Sequence, residues 1–494
     1  MIDAQGPVGD LRVGAVVGRL EVGPAWLVDP GSGRVGPGSI VVEDGRLVSV
    51  RWLGPAEAGG VDDRGIVVAP GFIDLHAHFR EPGNEDAETI ATGQAAAAHG
   101  GFTTVCCMPN TEPPIDEPSV VARIAAAAAG SGSPVRVLVY GTVTAGRAGE
   151  QLAAIGELAD AGVVGFSDDG APIRSAALLR NALLYAGMAG LPVVDHVEEP
   201  SLCAGAEAHE GLVATVLGLR GWPATAEAAI VARDLAVLEA VLADEPRARL
   251  HLAHLSTREA LELVRGAKAR GLPVSCEVTP HHLALADEWL AGARRWAWEA
   301  LDETGGPRNP WADGALVARP YAAACKVNPP LRSADHAAAC LAALADGTAD
   351  ALATDHAPHT VVDKLVEFGL AANGISGIET ALGVLLAAVE AGRISLDRAI
   401  AALTVEPARL VGSRLGRPVG LVEGELADLV VVDRSARWVV SDATLRSKGH
   451  NSPLLGRELP GVVLATIAAG RVAHLDPSLV DGLPEPAGGA AIRA

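Results

Sequence analysis

From Pro70 onward one rhythm repeats eight times: a short apolar run, a polar break, then an Ala-rich amphipathic segment. The runs are Gly71–Leu75, Thr103–Met108, Val135–Tyr140, Val163–Ser167, Pro192–Asp195, Arg249–Ala253, Pro273–Val278 and Ala351–Thr354. Between them lie helix-period segments such as Glu88–Ala98, Ser119–Ala129, Ser175–Ala189, Ala226–Leu242, Thr257–Ala269 and Ser333–Ala345. Eight strands alternating with helices predict an α/β fold whose parallel sheet closes on itself, the TIM (β/α)8 barrel, over an open doubly wound sheet.

The flanks follow another pattern. Ala25–Val28, Ser39–Val42 and Leu47–Val50 read as strands, with a hairpin signal at Glu43-Asp44-Gly45. β-type runs return after Gly412, at Leu429–Val432, Trp438–Val440 and Val462–Ile467. Residues 1–69 and 412–494 are therefore expected to form one small β-sandwich domain, with 70–411 as the catalytic barrel. Residues 287–321 interrupt the rhythm with Trp289, Trp296, Trp298 and Trp311. They are too long for an ordinary βα connection, and read equally as a surface insertion with its own small core or a lid over the barrel mouth. The Pro/Gly/Ala-rich tail after His474 is expected to be poorly ordered.

Composition excludes several classes. Sixty acidic against 39 basic residues give a net charge of -21, which repels nucleic acid and anionic lipid. No uncharged apolar run reaches the roughly 20 residues of a membrane span. The six cysteines form no CxxC pair and read as reduced, buried thiols. No signal-peptide pattern follows Met1, so a cytoplasmic location is expected.

The chemistry gathers where strands end. An apolar run from Gly65 to Ile73 reads as one buried strand leading into His76-Ala77-His78. Alternation along a strand sends both imidazoles to the same side, where they can share a metal, and Arg80 keeps that phase. Later strands end in Ser167-Asp168-Asp169-Gly170, Asp195-His196-Val197-Glu198-Glu199, His251-Leu252-Ala253-His254 and Thr354-Asp355-His356-Ala357-Pro358-His359. Four histidines and two carboxylates suit zinc, and are too many for one tetrahedral ion. His251 falls on the opposite strand face from His254 and reads as structural. Glu198 and Glu199 read first as solvated carboxylates and otherwise as hydrogen-bond partners of groups behind the site, and His281-His282 as a cap that packs. His356 points away from the cluster but could orient its neighbours. His99, His209, His336, His450 and His474 read as ordinary helix or surface residues.

These motifs jointly resemble the amidohydrolase superfamily, and closely the bacterial class I dihydroorotases. The resemblance is carried by Asp74-Leu75-His76-Ala77-His78-Phe79-Arg80-Glu81-Pro82-Gly83, Met108-Pro109-Asn110-Thr111, Ser167-Asp168-Asp169-Gly170, His254-Leu255-Ser256-Thr257, Glu277-Val278-Thr279-Pro280-His281-His282, Lys326-Val327-Asn328-Pro329-Pro330-Leu331-Arg332 and Thr354–His359. It implies two zinc ions per chain: His76, His78 and Asp355 on one, His196 and His254 on the other, with Asp169 rather than its neighbour Asp168 bridging them. It further implies that Arg80, Asn110, Asn328 and His359, with His78 and the backbone at Asn373 and Gly374, bind substrate. The implied reaction is the reversible cyclisation of N-carbamoyl-L-aspartate to L-dihydroorotate in pyrimidine biosynthesis, by a metal-bridging hydroxide with Asp355 as proton shuttle. A homodimer is the expected assembly, with association to aspartate transcarbamoylase left open.

Two other readings compete. Hydantoinase- and dihydropyrimidinase-like cyclic amidases bridge their metals with a carboxylated lysine at the fourth strand, but the first lysine here is Lys268. A non-catalytic scaffold subunit for aspartate transcarbamoylase would typically lack metal ligands, and all six are present.

Overall fold

The computed structural model describes residues 12–54, 56–480 and 491–493. Four strands open the chain: β1 (Arg19–Asp29), β2 (Arg34–Glu43), β3 (Arg46–Trp52) and β4 (Ile66–Pro70). Next come β5 (Phe72–Ala77), β6 (Phe102–Cys107), β7 (Arg136–Val139), β8 (Phe166–Ser167) and β9 (Val193–Asp195). A small pair, β10 (Ala208–His209) and β11 (Gly221–Trp222), precedes β12 (Leu250–Leu252), β13 (Val274–Val278) and β14 (Ala351–Leu352). The chain finishes with β15 (Leu429–Val439), β16 (Glu458–Ala468), β17 (Arg471–Leu475) and β18 (Ala491–Arg493).

All eight expected central strands are present and parallel to their neighbours. β5, β6 and β7 pair in order, and β8, β9, β12, β13 and β14 pair in order. Two parallel bridges, Gly141 to Phe166 and Ala77 to His356, join these sets at both margins. Pairing thus passes through all eight strands and returns to β5. The helices between them start where sequence chemistry permits. Thr89, Ser175 and Thr257 each accept a hydrogen bond from a backbone N–H of the first turn that has no partner within the helix. Ala96, Ala97 and Ala98 are almost wholly buried, because their short side chains let a helix lie close against the strands.

The two chain ends build one hydrogen-bonded sheet in the order β17-β16-β15-β4-β1-β2-β3, with β18 added beside β1. Period-two alternation explains how it is held. Ile66 and Val68 of β4, with Leu429 and Val431 of β15, face a core that the sheet encloses by itself. Val67, Ala69, Val430 and Val432 face the large core shared with the helices.

One sequence expectation needs correction here. The apolar run from Gly65 to Ile73 is not one strand: β4 lies in the terminal sheet, β5 in the parallel set, and Gly71 breaks them. A Cβ at Gly71 would stand 2.3 Å from the Thr103 side chain, so the chain passes β6 only because no side chain is there. Phe72 meets Phe102 edge-on at 5.7 Å directly beyond it, a pairing worth about 0.5–1.5 kcal/mol beyond burial alone.

The tryptophans of residues 287–321 pack among themselves and against the rest of the chain. Trp289 is buried, Trp296 stacks on Trp298 at 5.2 Å, and the Arg457 guanidinium lies 3.6 Å over the Trp296 ring. No residue of the segment lines the cavity described below. Most of the tail expected to be poorly ordered, residues 481–490, lies outside the described residues. All six cysteines are free and buried. No described helix is long and apolar enough to cross a membrane.

Gly71→Val should destabilise the protein by about 1–3 kcal/mol, the usual cost of overpacking. Denaturant titration of the variant beside wild type checks it, and an unchanged midpoint contradicts the close-passage reading.

Candidate metal centre and active site

His76 and His78 leave the end of β5, Asp169 follows β8, His196 follows β9, His254 follows β12 and Asp355 follows β14. The structure brings all six together. Ligand atoms of His76, His78 and Asp169 lie within 4.8 Å of one another, as do those of Asp169, His196 and His254. Asp169 belongs to both groups: Oδ2 is 3.4 Å from His76 Nε2 and 3.5 Å from His78 Nε2. Its Oδ1 is 3.5 Å from His196 Nδ1 and 3.3 Å from His254 Nε2. Asp355 Oδ1 lies 3.1 Å from His78 Nε2. Asp168 turns the other way, accepting from the backbone N–H groups of Val143 and Thr144 at 2.9 and 3.1 Å.

Three of the four rings are turned by a partner at the outer nitrogen. Glu277 Oε1 is 2.8 Å from His76 Nδ1, Asn110 Oδ1 is 2.9 Å from His78 Nδ1, and Glu198 Oε2 is 3.0 Å from His196 Nε2. Such partners fix the tautomer and aim the other nitrogen inward. His254 differs, its buried Nδ1 having no hydrogen-bond partner. His76 Nε2, which faces the cluster, is also buried without one. Orphaned inward nitrogen, a shared carboxylate and an imidazole-rich donor set together fit a pair of divalent cations of the zinc type.

Charge follows the geometry. Burial pushes the Asp169 carboxyl up, but His76, His196 and His254 outweigh it and hold it well below the usual carboxylate range. Burial likewise opposes ionisation of Glu277, yet hydrogen bonds from His251 and His76 hold it at about 2. Burial lowers His78 and overrides Asp355, which favours the neutral imidazole a metal needs.

The backbone is strained at this point. His254, Asp355 and Arg80 have φ of 34°, 45° and 60°, a left-handed region uncommon for residues other than glycine. Fixed neighbours hold two of these turns. Buried Glu227 accepts from the backbone N–H and hydroxyl groups of Ser256 and Thr257, just after His254. Asp74 accepts from the N–H and hydroxyl of Thr354, just before Asp355.

Beside the cluster opens a cavity of about 190 Å³, lined by His78, Arg80, Asn110, Asn328, His359 and the Asn373-Gly374 backbone. Arg80 Nε donates to Pro358 O at 3.1 Å, and His359 Nε2 donates to Asn373 O at 2.8 Å. Every residue expected to bind substrate therefore borders one space.

Several expectations change. Glu198 is not solvated, since it accepts from Asn328 Nδ2 at 2.8 Å besides contacting His196. His251 keeps its structural role, with Nε2 3.1 Å from Glu277 Oε2, continuing the chain of contacts from His76. His209 is buried and lies 3.4 Å from the Arg332 guanidinium. His282 does cap and pack, between Thr279 Oγ1 and Pro329 O. Glu277 was not singled out by sequence reasoning. The available signal was an acidic residue inside an otherwise apolar strand.

Residues 65–260 match the family model described as dihydro-orotase-like. The chain is 47% identical over 450 residues to a dihydroorotase of Anaeromyxobacter dehalogenans, covering 91% of this chain and 96% of that protein. It is 43% identical over 461 residues to a dihydroorotase of Pelotomaculum thermopropionicum, covering 93% and 99%. Among solved structures, an L-hydantoinase from Arthrobacter aurescens superposes with a TM-score of 0.73 at 24% identity, covering 92% of this chain and 96% of that one. A dihydropyrimidinase from Brevibacillus agri gives 0.71 at 19%, covering 95% and 97%.

Glu277→Gln keeps the size of the side chain and removes the charge that holds His76 Nδ1–H. Metal affinity, read by competition with a chromogenic chelator, should fall about 10- to 100-fold. Wild-type affinity in the variant would contradict the role given to Glu277.

Proposed function

This chain belongs to the dihydroorotase family, and on that premise we propose that its cavity interconverts L-dihydroorotate and N-carbamoyl-L-aspartate. The observation that carries the reading is the Arg80 guanidinium sharing one small cavity with the His76–Asp169–His254 cluster. A cyclic ureide that bears a carboxylate fits both halves of that space. We read the ring of eight parallel strands as a closed (β/α)8 barrel spanning 70–411, with the sheet of 1–69 and 412–494 as the companion domain.

His76, His78 and Asp355 would hold one divalent cation, His196 and His254 the other, and Asp169 both; zinc is the ion the donor set suits. When bound, such a pair supplies an acidified water and a Lewis acid for the scissile carbonyl. The chain's own residues do the rest. Arg80 and Asn110 offer donors to the substrate carboxylate, one of them charged, so an acidic ring is selected over a neutral hydantoin. Asn328 and the backbone at Asn373 and Gly374 orient the ring. Asp355, kept ionised by His78 despite its burial, accepts a proton from the attacking water. It delivers that proton to the ring nitrogen as the carbon–nitrogen amide bond breaks. Reversing these steps closes the ring and releases water.

The hydantoinase-like structural neighbours share the fold. Asp169, not a lysine, follows the fourth strand of the ring, and no lysine precedes Lys268.

Wild-type protein should bind about two zinc ions per chain and hydrolyse dihydroorotate, and Asp169→Ala should lose both. Arg80→Met should raise KM for dihydroorotate by about 100-fold, the scale of a lost charge-assisted pair, and leave any turnover of neutral hydantoin unaffected. Metal analysis with steady-state kinetics decides. Turnover of hydantoin without dihydroorotate would overturn the substrate assignment.

A further inference from the structure

We infer that Lys364, which lies outside the reacting cluster, is a positioning residue whose buried side chain clasps the two backbone segments walling the substrate cavity. The inference rests on the dihydroorotase reading for its substrate, though not for its geometry. Lys364 ends a single helical turn, Val361–Lys364, whose start is fixed by mutual capping of Thr360 and Asp363. Its Nζ donates to Lys326 O at 3.1 Å, Ala372 O at 2.7 Å and Gly374 O at 2.9 Å. An ammonium has three hydrogens and no lone pair, so three carbonyls saturate it.

Those carbonyls are not arbitrary. Lys326 opens the segment that carries Asn328, and Ala372 and Gly374 flank Asn373. The clasp is reciprocal: Gly374 N–H donates to Lys326 O at 2.9 Å, and Lys326 Nζ donates to Gly369 O at 2.9 Å. Asn451 Nδ2 adds a bond to Gly374 O at 2.9 Å. Gly374 has φ of 149°, and a Cβ there would stand 2.7 Å from Ala357 O, so this backbone must pass close.

Apolar burial does little to hold the loop. Val361, Val362, Leu365 and Leu370 are 69–80% exposed, and from 361 to 371 only Lys364, Phe368 and Ala371 are buried. Polar bonds from Lys364 therefore set where Asn373 and Gly374 stand. Burial lowers the Lys364 pKa to about 7, with Cys325 opposing and Lys326 adding to the shift. The other groups facing it are His359, itself kept neutral by burial and Arg80, and Asp363, which is engaged by Thr360. A neutral amine keeps two hydrogens and releases one of its three carbonyls, so the clasp loosens as pH rises above that value.

The test uses the zinc-loaded full chain. Lys364→Met should raise KM for dihydroorotate about tenfold or more, with kcat within about threefold and metal content unchanged. Lys364→Gln, which retains two donors, should fall between it and wild type. A wild-type KM in Lys364→Met, or a fall in kcat with KM unmoved, overturns the proposal. Should Lys364→Met not fold, wild type supplies the test: KM rising between about pH 7 and 9 at constant metal content supports the clasp, and a flat KM overturns it. Limited proteolysis separates this from the function itself. Faster cleavage within 361–372 in either variant supports the clasp even if dihydroorotate proves not to be the substrate, and unchanged cleavage overturns it.

Discussion

A single buried carboxylate organises the centre of this molecule. Asp169 lies against His76, His78, His196 and His254, contributed by three other strands, and each oxygen serves a different pair of rings. Bringing an anion into a dry interior is costly unless opposite charge and hydrogen bonds compensate. Here the surrounding imidazoles supply it, in an arrangement able to hold a metal ion. Much of the surrounding polar structure can be understood as fixing that arrangement. Arg147 reaches the Asp168 carbonyl at 3.2 Å, and Ser167 Oγ accepts from the Asp169 N–H at 3.1 Å. Glu277, Asn110 and Glu198 aim the rings from behind.

The order of strands and the positions of His76, His78, His196, His254 and Asp355 were legible because local rules govern them. Period-two alternation and strand ends leave little freedom to a His-x-His pair. Choosing Asp169 over Asp168 was not a local matter. The two are adjacent, and only the loop after β7, which offers the Val143 and Thr144 N–H groups to Asp168, separates their roles. The contacts of Glu198, Glu277 and His251 are hidden in the sequence for the same reason. Their partners are distant in sequence, and a lone charged residue carries no spacing that announces a partner.

The division of the Gly65–Ile73 run was hidden differently. Nothing in its hydrophobicity marks a boundary, since both halves are buried on both faces. What splits it is a contact with Thr103 that no window around Gly71 contains. The Trp-rich segment was ambiguous because composition shows that it packs but not against what. Arg457, just before β16, supplies that surface.

The terminal sheet imposes an order of assembly on synthesis. β4 pairs on one edge with β1, which precedes it, and on the other with β15, made several hundred residues later. While the intervening chain emerges from the ribosome, β4 has an open edge and apolar groups on both faces, the condition in which strands pair with the wrong chain. Gly71 joins that waiting strand directly to the one bearing His76 and His78. Until β15 arrives, the base of the first parallel strand is continuous with a β4 that is paired on one side only. For a growing chain, a strand made late completes the support for the strand that leads into His76 and His78.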